Sequence, residues 1–157
     1  MKNAMYNLNL SYKHVKLLDI AKVERAGNRY YPAGTIYIQI SAAKRTGLPQ
    51  FRILRKKTKL ESKYAVVSPT VEMIPDYFVF VLERAAPEWK HRYVGSNINI
   101  QMDAFRYFEL DYHEDICTQI YISDSLMVIQ KQIENVERQI DYEQKLKKYM
   151  LKNMFPE

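Results

Sequence analysis

The stretch Leu126-Met127-Val128-Ile129-Gln130-Lys131-Gln132-Ile133-Glu134-Asn135-Val136-Glu137-Arg138-Gln139-Ile140 decides the fold. Leu126, Ile129, Ile133, Val136 and Ile140 step by 3, 4, 3 and 4 residues, the spacing of a coiled-coil seam. Lys131, Gln132, Glu134, Asn135, Glu137 and Arg138 fill the positions between them. Working outward, neither Gly nor Pro occurs from Glu114 to Phe155. As one helix that segment would reach roughly 60 Å, at about 1.5 Å per residue. Such a helix overshoots a domain of this size, so its apolar stripe calls for a partner helix. Beyond Ile140 the stripe shifts to Tyr142, Leu146, Tyr149 and Met150, where the pairing face drifts or a different partner takes over.

Charge separates the helix from what precedes it. Residues 1–113 hold 18 Lys and Arg against 10 Asp and Glu, a net of +8; residues 114–157 hold 6 against 8, a net of −2. The excess is densest from Lys44 to Lys63, where eight basic residues face Glu61 alone. A run of that kind attracts polyanions, nucleic acid being the commonest, although many such runs are only solvated surface. The chain is long enough for one domain with a real core plus an appendage. No apolar run is long enough for a bilayer, and the N-terminus lacks a signal-peptide core. Cys117 is the single cysteine and has no internal disulfide partner, so a cytoplasmic location is expected.

Val15 to Val23 reads as a strand or a short helix packed on a strand. Ala26-Gly27-Asn28 and Tyr31-Pro32-Ala33-Gly34 carry turn chemistry. Thr35-Ile36-Tyr37-Ile38-Gln39-Ile40 alternates as a half-buried strand, and Phe51–Leu54 and Tyr64–Val67 are further strands. Pro75 fits a first helical turn, but the apolar run after it suits a buried helix or a strand equally well. Trp89 to Asn99 reads as a loop, and Phe105 to Leu110 as an alternating segment leading into the long helix. The expected class is therefore α+β: a compact mixed α/β domain over 1–113, followed by a long C-terminal coiled-coil helix over 114–157.

The chemistry of catalysis is missing from this pattern. Ser41, Ser68 and Cys117 lack an activating local context, and four glycines are too few for a phosphate loop. Three scattered histidines and one cysteine do not suggest a metal site, and no cofactor is implied. Glu114-Asp115 reads as charge favourable to a helix N-terminus. What abounds is the vocabulary of DNA contact, Arg and Lys for phosphates and guanine, Asn and Gln for adenine. Gln39, Ser41, Lys44 and Arg45 close one strand; Lys90, Arg92, Asn97 and Asn99 lie in the later segment. Arg52, Arg55, Lys56 and Lys57 complete the candidate DNA-binding set. Asn97 and Asn99 could equally be supplying turn hydrogen bonds.

In order, these segments resemble the specificity (S) subunit of Type I restriction–modification systems, specifically one target-recognition domain with one conserved-region helix. Val15-Lys16-Leu17-Leu18-Asp19-Ile20-Ala21 is similar to the opening V-K-L-G-D-I-A, with Leu18 in place of the usual Gly. Tyr31 to Ala42 resembles the Gly-strand-Ser segment, and Pro75-Asp76-Tyr77-Phe78 the P-x-Y-L/F helix start. Gly95-Ser96-Asn97-Ile98-Asn99-Ile100 resembles the G…N-I-N element, and Leu146 to Phe155 the closing L-K-K-x-L-L-x-x-M-F. Each motif alone is weak; their order and spacing are fairly specific, and together they cover nearly the whole chain. Leu110 to Asp115 lacks the family's proline-rich helix entry.

The usual subunit has two recognition domains and two helices, so this chain looks like a half-subunit. The resemblance implies a non-catalytic reader of double-stranded DNA that homodimerises through Leu126, Ile129, Ile133, Val136 and Ile140. It further implies docking of the modification (methyltransferase) subunit, with a restriction subunit as another candidate partner. The readings from other classes are an antirestriction decoy and a coiled-coil scaffold with a basic nucleic-acid-binding face.

Overall fold

The computed structural model describes residues 8–41, 50–96 and 99–155. The chain divides into two compact units, Met1–Tyr121 and Ile122–Glu157. The order of elements is β1 (Lys13–Lys16), α1 (Leu17–Ile20), β2 (Ala21–Arg25), β3 (Arg29–Tyr31), β4 (Ile36–Gln39), β5 (Phe51–Ile53), β6 (Thr58–Leu60), β7 (Tyr64–Pro69), α2 (Pro75–Trp89), β8 (Glu109–Tyr112) and α3 (Ile116–Met154). The α+β class expected from the sequence, with its long final helix, is what the structure shows.

The centre of the first unit is an antiparallel sheet in the order β2-β7-β4-β5. Period-two alternation divides its residues between two faces. Ile36 pairs with Val67 and Ile38 with Ala65, and all four are buried on one face. That face meets α2, which packs against β5 and β8 and buries Tyr77, Phe78, Leu82, Ala86 and Trp89 at helical spacing. The ambiguous run after Pro75 is therefore helix, with Pro75 in its first turn. Phe51, Trp89, Phe105 and Phe108 form the aromatic part of this core, with ring centroids 4.9–5.8 Å apart.

On the opposite face a smaller cluster of Ala26, Leu54, Leu60 and Val66 is flanked by Tyr31, Tyr37 and Tyr64. It seats a separate two-stranded ribbon, β3–β6, against the sheet. Two turns frame this ribbon. Asn28 adopts a positive φ of 53° and its Oδ1 accepts the Ser62 N–H at 3.0 Å. Gly34, at φ 89°, donates its N–H to the Leu54 carbonyl at 2.8 Å.

Two segments differ from the sequence-based reading. Trp89 closes α2, and Lys90–Val94 forms one π turn where a loop was expected. Buried Trp89 and Val94 tie this segment to the core, and the Trp89 indole N–H donates to the Ala104 carbonyl at 2.7 Å. Phe105 likewise belongs to a 3-10 helix, Met102–Tyr107, because the adjacent residues Ala104 and Phe105 are both buried, which alternation forbids.

The long helix enters through side-chain hydrogen bonds in place of proline. Asp115 caps α3 by accepting from the Thr118 N–H at 2.8 Å and its hydroxyl at 2.7 Å. Those bonds hold the Asp115 carboxyl below its usual range. Gln119, wholly buried, donates to the His113 carbonyl at 2.7 Å and accepts the Ile74 N–H at 2.9 Å. One side chain thereby ties the starts of α2 and α3 to the end of β8. No helix among the described residues is long and apolar enough to cross a membrane.

Candidate nucleic-acid interface

Several of the sequence-predicted residues converge at the end of β4. Its inward isoleucines, Ile36 and Ile38, with Ile40 just beyond, are buried and fix the strand. Past Gln39 the chain is held by the Lys63 carbonyl, which accepts from Ile40 at 2.9 Å and Ser41 at 3.2 Å. The Ile40 carbonyl in turn accepts the Ile100 N–H at 2.7 Å. Gln39, Ser41, Lys63 and the turn carrying Asn99 are thus brought together from three distant parts of the sequence. The Gln39 side-chain amide donates to the Ser41 carbonyl at 3.0 Å, which orients it. Arg52, exposed on the edge strand β5, lies opposite Tyr37 on the sheet face away from α2 and donates to Gln50 at 2.9 Å.

A second group surrounds the β3–β6 ribbon. Arg55, Lys56 and Lys57 occupy the turn between β5 and β6, and Lys59 lies within β6. Because Leu60 points into the cluster beneath, its neighbour Lys59 points outward, directly across the ribbon from Tyr30. Tyr30 is 64% exposed. Arg55 is paired with Asp76 and Lys63 with Glu61, both at 3.0 Å. Among the described residues, Arg29, Lys56, Lys57 and Lys59 have no carboxylate within ion-pair distance. Three of the cations in this region rest over tyrosine rings: Arg29 over Tyr31 at 5.1 Å, Lys57 over Tyr30 at 5.9 Å and Lys63 over Tyr64 at 5.4 Å.

Lys90 and Arg92 stand apart from these groups on the π turn. Arg92 is held by Glu88 at 2.7 Å and lines a cleft of about 250 Å³ that also contains Glu109 and Asp111. In the same cleft His14 contacts Asp111 at 2.8 Å and Glu109 at 3.4 Å, and these carboxylates hold its imidazole above the usual histidine range. The local charge is therefore mixed, unlike that of the ribbon. Lys44, Arg45 and Asn97 lie outside the described residues. Sequence reasoning missed Arg29 and Tyr30, while Lys59 and Lys63 entered it only as members of the basic run from Lys44 to Lys63. The one available signal was the short Arg29-Tyr30-Tyr31 run between two turns, too brief to read as a strand.

Along α3, Leu126 is half-buried, while Ile129, Ile133, Val136 and Ile140 are 46–55% exposed. Among the described residues no group of His, Cys, Asp and Glu is arranged to hold a metal ion.

No protein-family model and no curated protein matches the sequence. Solved structures do match its fold. A Type I restriction–modification S subunit from M. genitalium superposes with a TM-score of 0.61 at 12% identity, over 96% of this chain and 48% of that one. The HsdS subunit from Thermoanaerobacter tengcongensis gives 0.62 at 12% identity, over 87% and 41%. A chain from work on complex assembly and conformational transition of the type I R-M system gives 0.69 at 14% identity, over 94% and 46%. The chain has the specificity-subunit fold, and it spans a little under half the length of each of these neighbours.

Proposed function

We propose that this chain is a sequence-specific, non-catalytic reader of double-stranded DNA. It directs a Type I methyltransferase, or the corresponding nuclease complex, to a bipartite site. The observation that carries this reading is the conjunction of a specificity-subunit fold over nearly the whole chain with a basic surface that its own carboxylates leave largely unneutralised. In the proposed division of labour, Gln39, Ser41, Arg52 and Asn99 supply base-edge chemistry at the end of β4 and on the sheet edge. Lys44, Arg45 and Asn97 are adjacent to them in sequence and belong to the same proposed set. Lys56 and Lys57 neutralise phosphates, and Arg55 does so on exchanging Asp76 for DNA, so affinity falls steeply with salt. Lys90 and Arg92 remain candidates at a separate position, Arg92 only if it exchanges Glu88 for DNA.

A second copy of the chain supplies the second reader. The seam Ile129, Ile133, Val136 and Ile140 is apolar and exposed on an isolated helix, and an identical helix has the matching surface. Pairing identical chains generates two-fold symmetry, so the target is an interrupted palindrome. Beyond the seam, Leu146, Met150 and Met154 offer a second exposed apolar strip, which we assign to the modification subunit.

The test is to co-express the chain with the methyltransferase subunit encoded beside it and to map methylated bases across the host genome. One interrupted palindrome, modified in each half, is the expected result. A non-palindromic site would replace the homodimer with a pair of different half-units. A complex that forms without methylating anything would favour the decoy or scaffold.

A further inference from the structure

Resting on the duplex-DNA reading above, we infer that the outward face of the β3–β6 ribbon is a preorganised phosphate clamp, and that Tyr30 is its positioning residue. The ribbon is too short to be stable alone, with three residues in each strand. It is nevertheless well anchored: Leu60 and Tyr31 seat its inner face, and the Asn28–Ser62 hydrogen bond and the Gly34 turn close its two ends. Its outward face then carries only Tyr30 and Lys59, with Lys57 folded over the Tyr30 ring.

A free lysine side chain samples many rotamers, and ordering it against a phosphate costs conformational entropy. An aromatic face beneath the ammonium restricts that sampling before DNA arrives, through cation–π attraction. The arrangement is repeated by Arg29 on Tyr31 and by Lys63 on Tyr64. Lys63 also supplies the carbonyl that fixes Ile40 and Ser41, so the clamp is continuous with the end of β4 where base-edge groups gather. Such a clamp sets register on the duplex without reading sequence: phosphate contacts position, and base contacts specify.

The test uses the full-length chain and fluorescein-labelled 30-base-pair duplexes, one bearing the methylated target and the others of scrambled sequence, titrated across a salt series. Lys57→Gln with Lys59→Gln should weaken binding to every duplex alike. The slope of log affinity against log salt should fall by about 1.8, at about 0.9 per lost phosphate contact. Tyr30→Leu should weaken binding in the same uniform way, and Tyr30→Phe should restore it, since the ring face and not the hydroxyl supports Lys57. Lys16→Gln with Lys22→Gln removes the same charge elsewhere and should leave the slope unchanged. Thermal melts confirm that each variant is folded. If wild type binds duplex DNA but the ribbon variants keep its affinity and slope, the clamp is overturned and the DNA reading stands. If Tyr30→Phe behaves as Tyr30→Leu, Tyr30 is not acting through its ring. If wild type binds no duplex at all, the DNA reading itself fails.

Discussion

The two compact units of this chain treat their apolar residues in opposite ways. Among the described residues of the first unit the large apolar side chains are mostly interior: Phe51, Phe78, Leu82, Phe105 and Phe108 are all buried, and the sheet is covered on both faces. From Ile129 onward the helix leaves Ile133, Val136, Ile140, Leu146 and Met150 exposed. Burial of apolar surface contributes about 25 cal/mol per Å², so the first unit has a source of stability within itself. Along this stretch of helix the side-chain bonds are i,i+3 and i,i+4 contacts such as Arg138–Asn135 and Lys145–Asp141, the latter kind worth about 0.3–0.5 kcal/mol each. The contrast separates a region that folds on its own contacts from one whose order depends on what covers it.

The widest separation should come from Ile133→Asp combined with Val136→Asp. In the proposed dimer, where pairing would bury the seam, each such change costs about 2–5 kcal/mol, so self-association should weaken by well over a hundredfold. Light scattering should report a monomer, and far-UV circular dichroism a loss of helix, while the cooperative melt of the first unit stays in place. A variant that remains dimeric would show that the two chains meet elsewhere and would remove the seam from the account.

The converse change attacks the first unit alone. Gln119→Leu leaves the half-buried Ile74 N–H and His113 carbonyl without the partner that buried Gln119 supplies. An unsatisfied buried polar group costs about 1–3 kcal/mol, and these two are partly shielded, so denaturant melts should lose about 2 kcal/mol for the pair. Self-association through the helix should survive. Equal loss of both properties would mean that the two units are not independent, and the comparison would collapse.

What the sequence revealed follows the same division. The long helix α3 was legible because neither Gly nor Pro interrupts it and five apolar residues from Leu126 to Ile140 recur at 3-4 spacing, and β4 and β7 were legible because β-branched residues cluster or alternate within each strand. The run after Pro75 was ambiguous because Phe78, Val79, Phe80, Val81 and Leu82 are continuous; only packing on β5 and β8 selects the face 78, 82, 86, 89. The β3–β6 ribbon was invisible, since its strands are three residues long and the pairing joins Tyr30 to Lys59 across 29 positions. For the site, the charge run of β5–β6 could be counted from the sequence. The neighbourhood of Lys57 and Tyr30, and that of Gln39 and Asn99, exists only once distant segments pair.

A smaller effect tests how firmly the ribbon is framed. Gly34 sits at φ 89° with open space where a Cβ would be, so Gly34→Ala introduces backbone strain and no collision. The expected loss is about 1 kcal/mol, the scale of forcing an L-residue into the left-handed region. It should be accompanied by faster amide exchange at position 34, whose N–H donates to the Leu54 carbonyl, and at Leu54, whose N–H donates to the Thr35 carbonyl. A neutral result would indicate that the turn adjusts freely, leaving Leu60 and Tyr31 as the ribbon's anchors.

The smallest effect concerns the mixed-charge cleft, which contrasts with the ribbon in having its histidine matched by acids. Asp111 and Glu109 favour the protonated His14 imidazole and raise its folded value above the ordinary 6.5. A raised histidine contributes stability that is complete below the unfolded value and is lost as pH rises through the folded one. The melting temperature of wild type should therefore exceed that of His14→Asn most clearly below pH 6.5, where the carboxylates are still ionised, and the two should converge at higher pH. The side chains involved are largely exposed, so added salt should shrink the difference further. A gap that is constant across this range would mean His14 acts by packing where β1 pairs antiparallel with β8, opposite Asp111, with its charge irrelevant. The cleft would then join the first unit's passive framework, and the ribbon would be left as the region where charge has consequences.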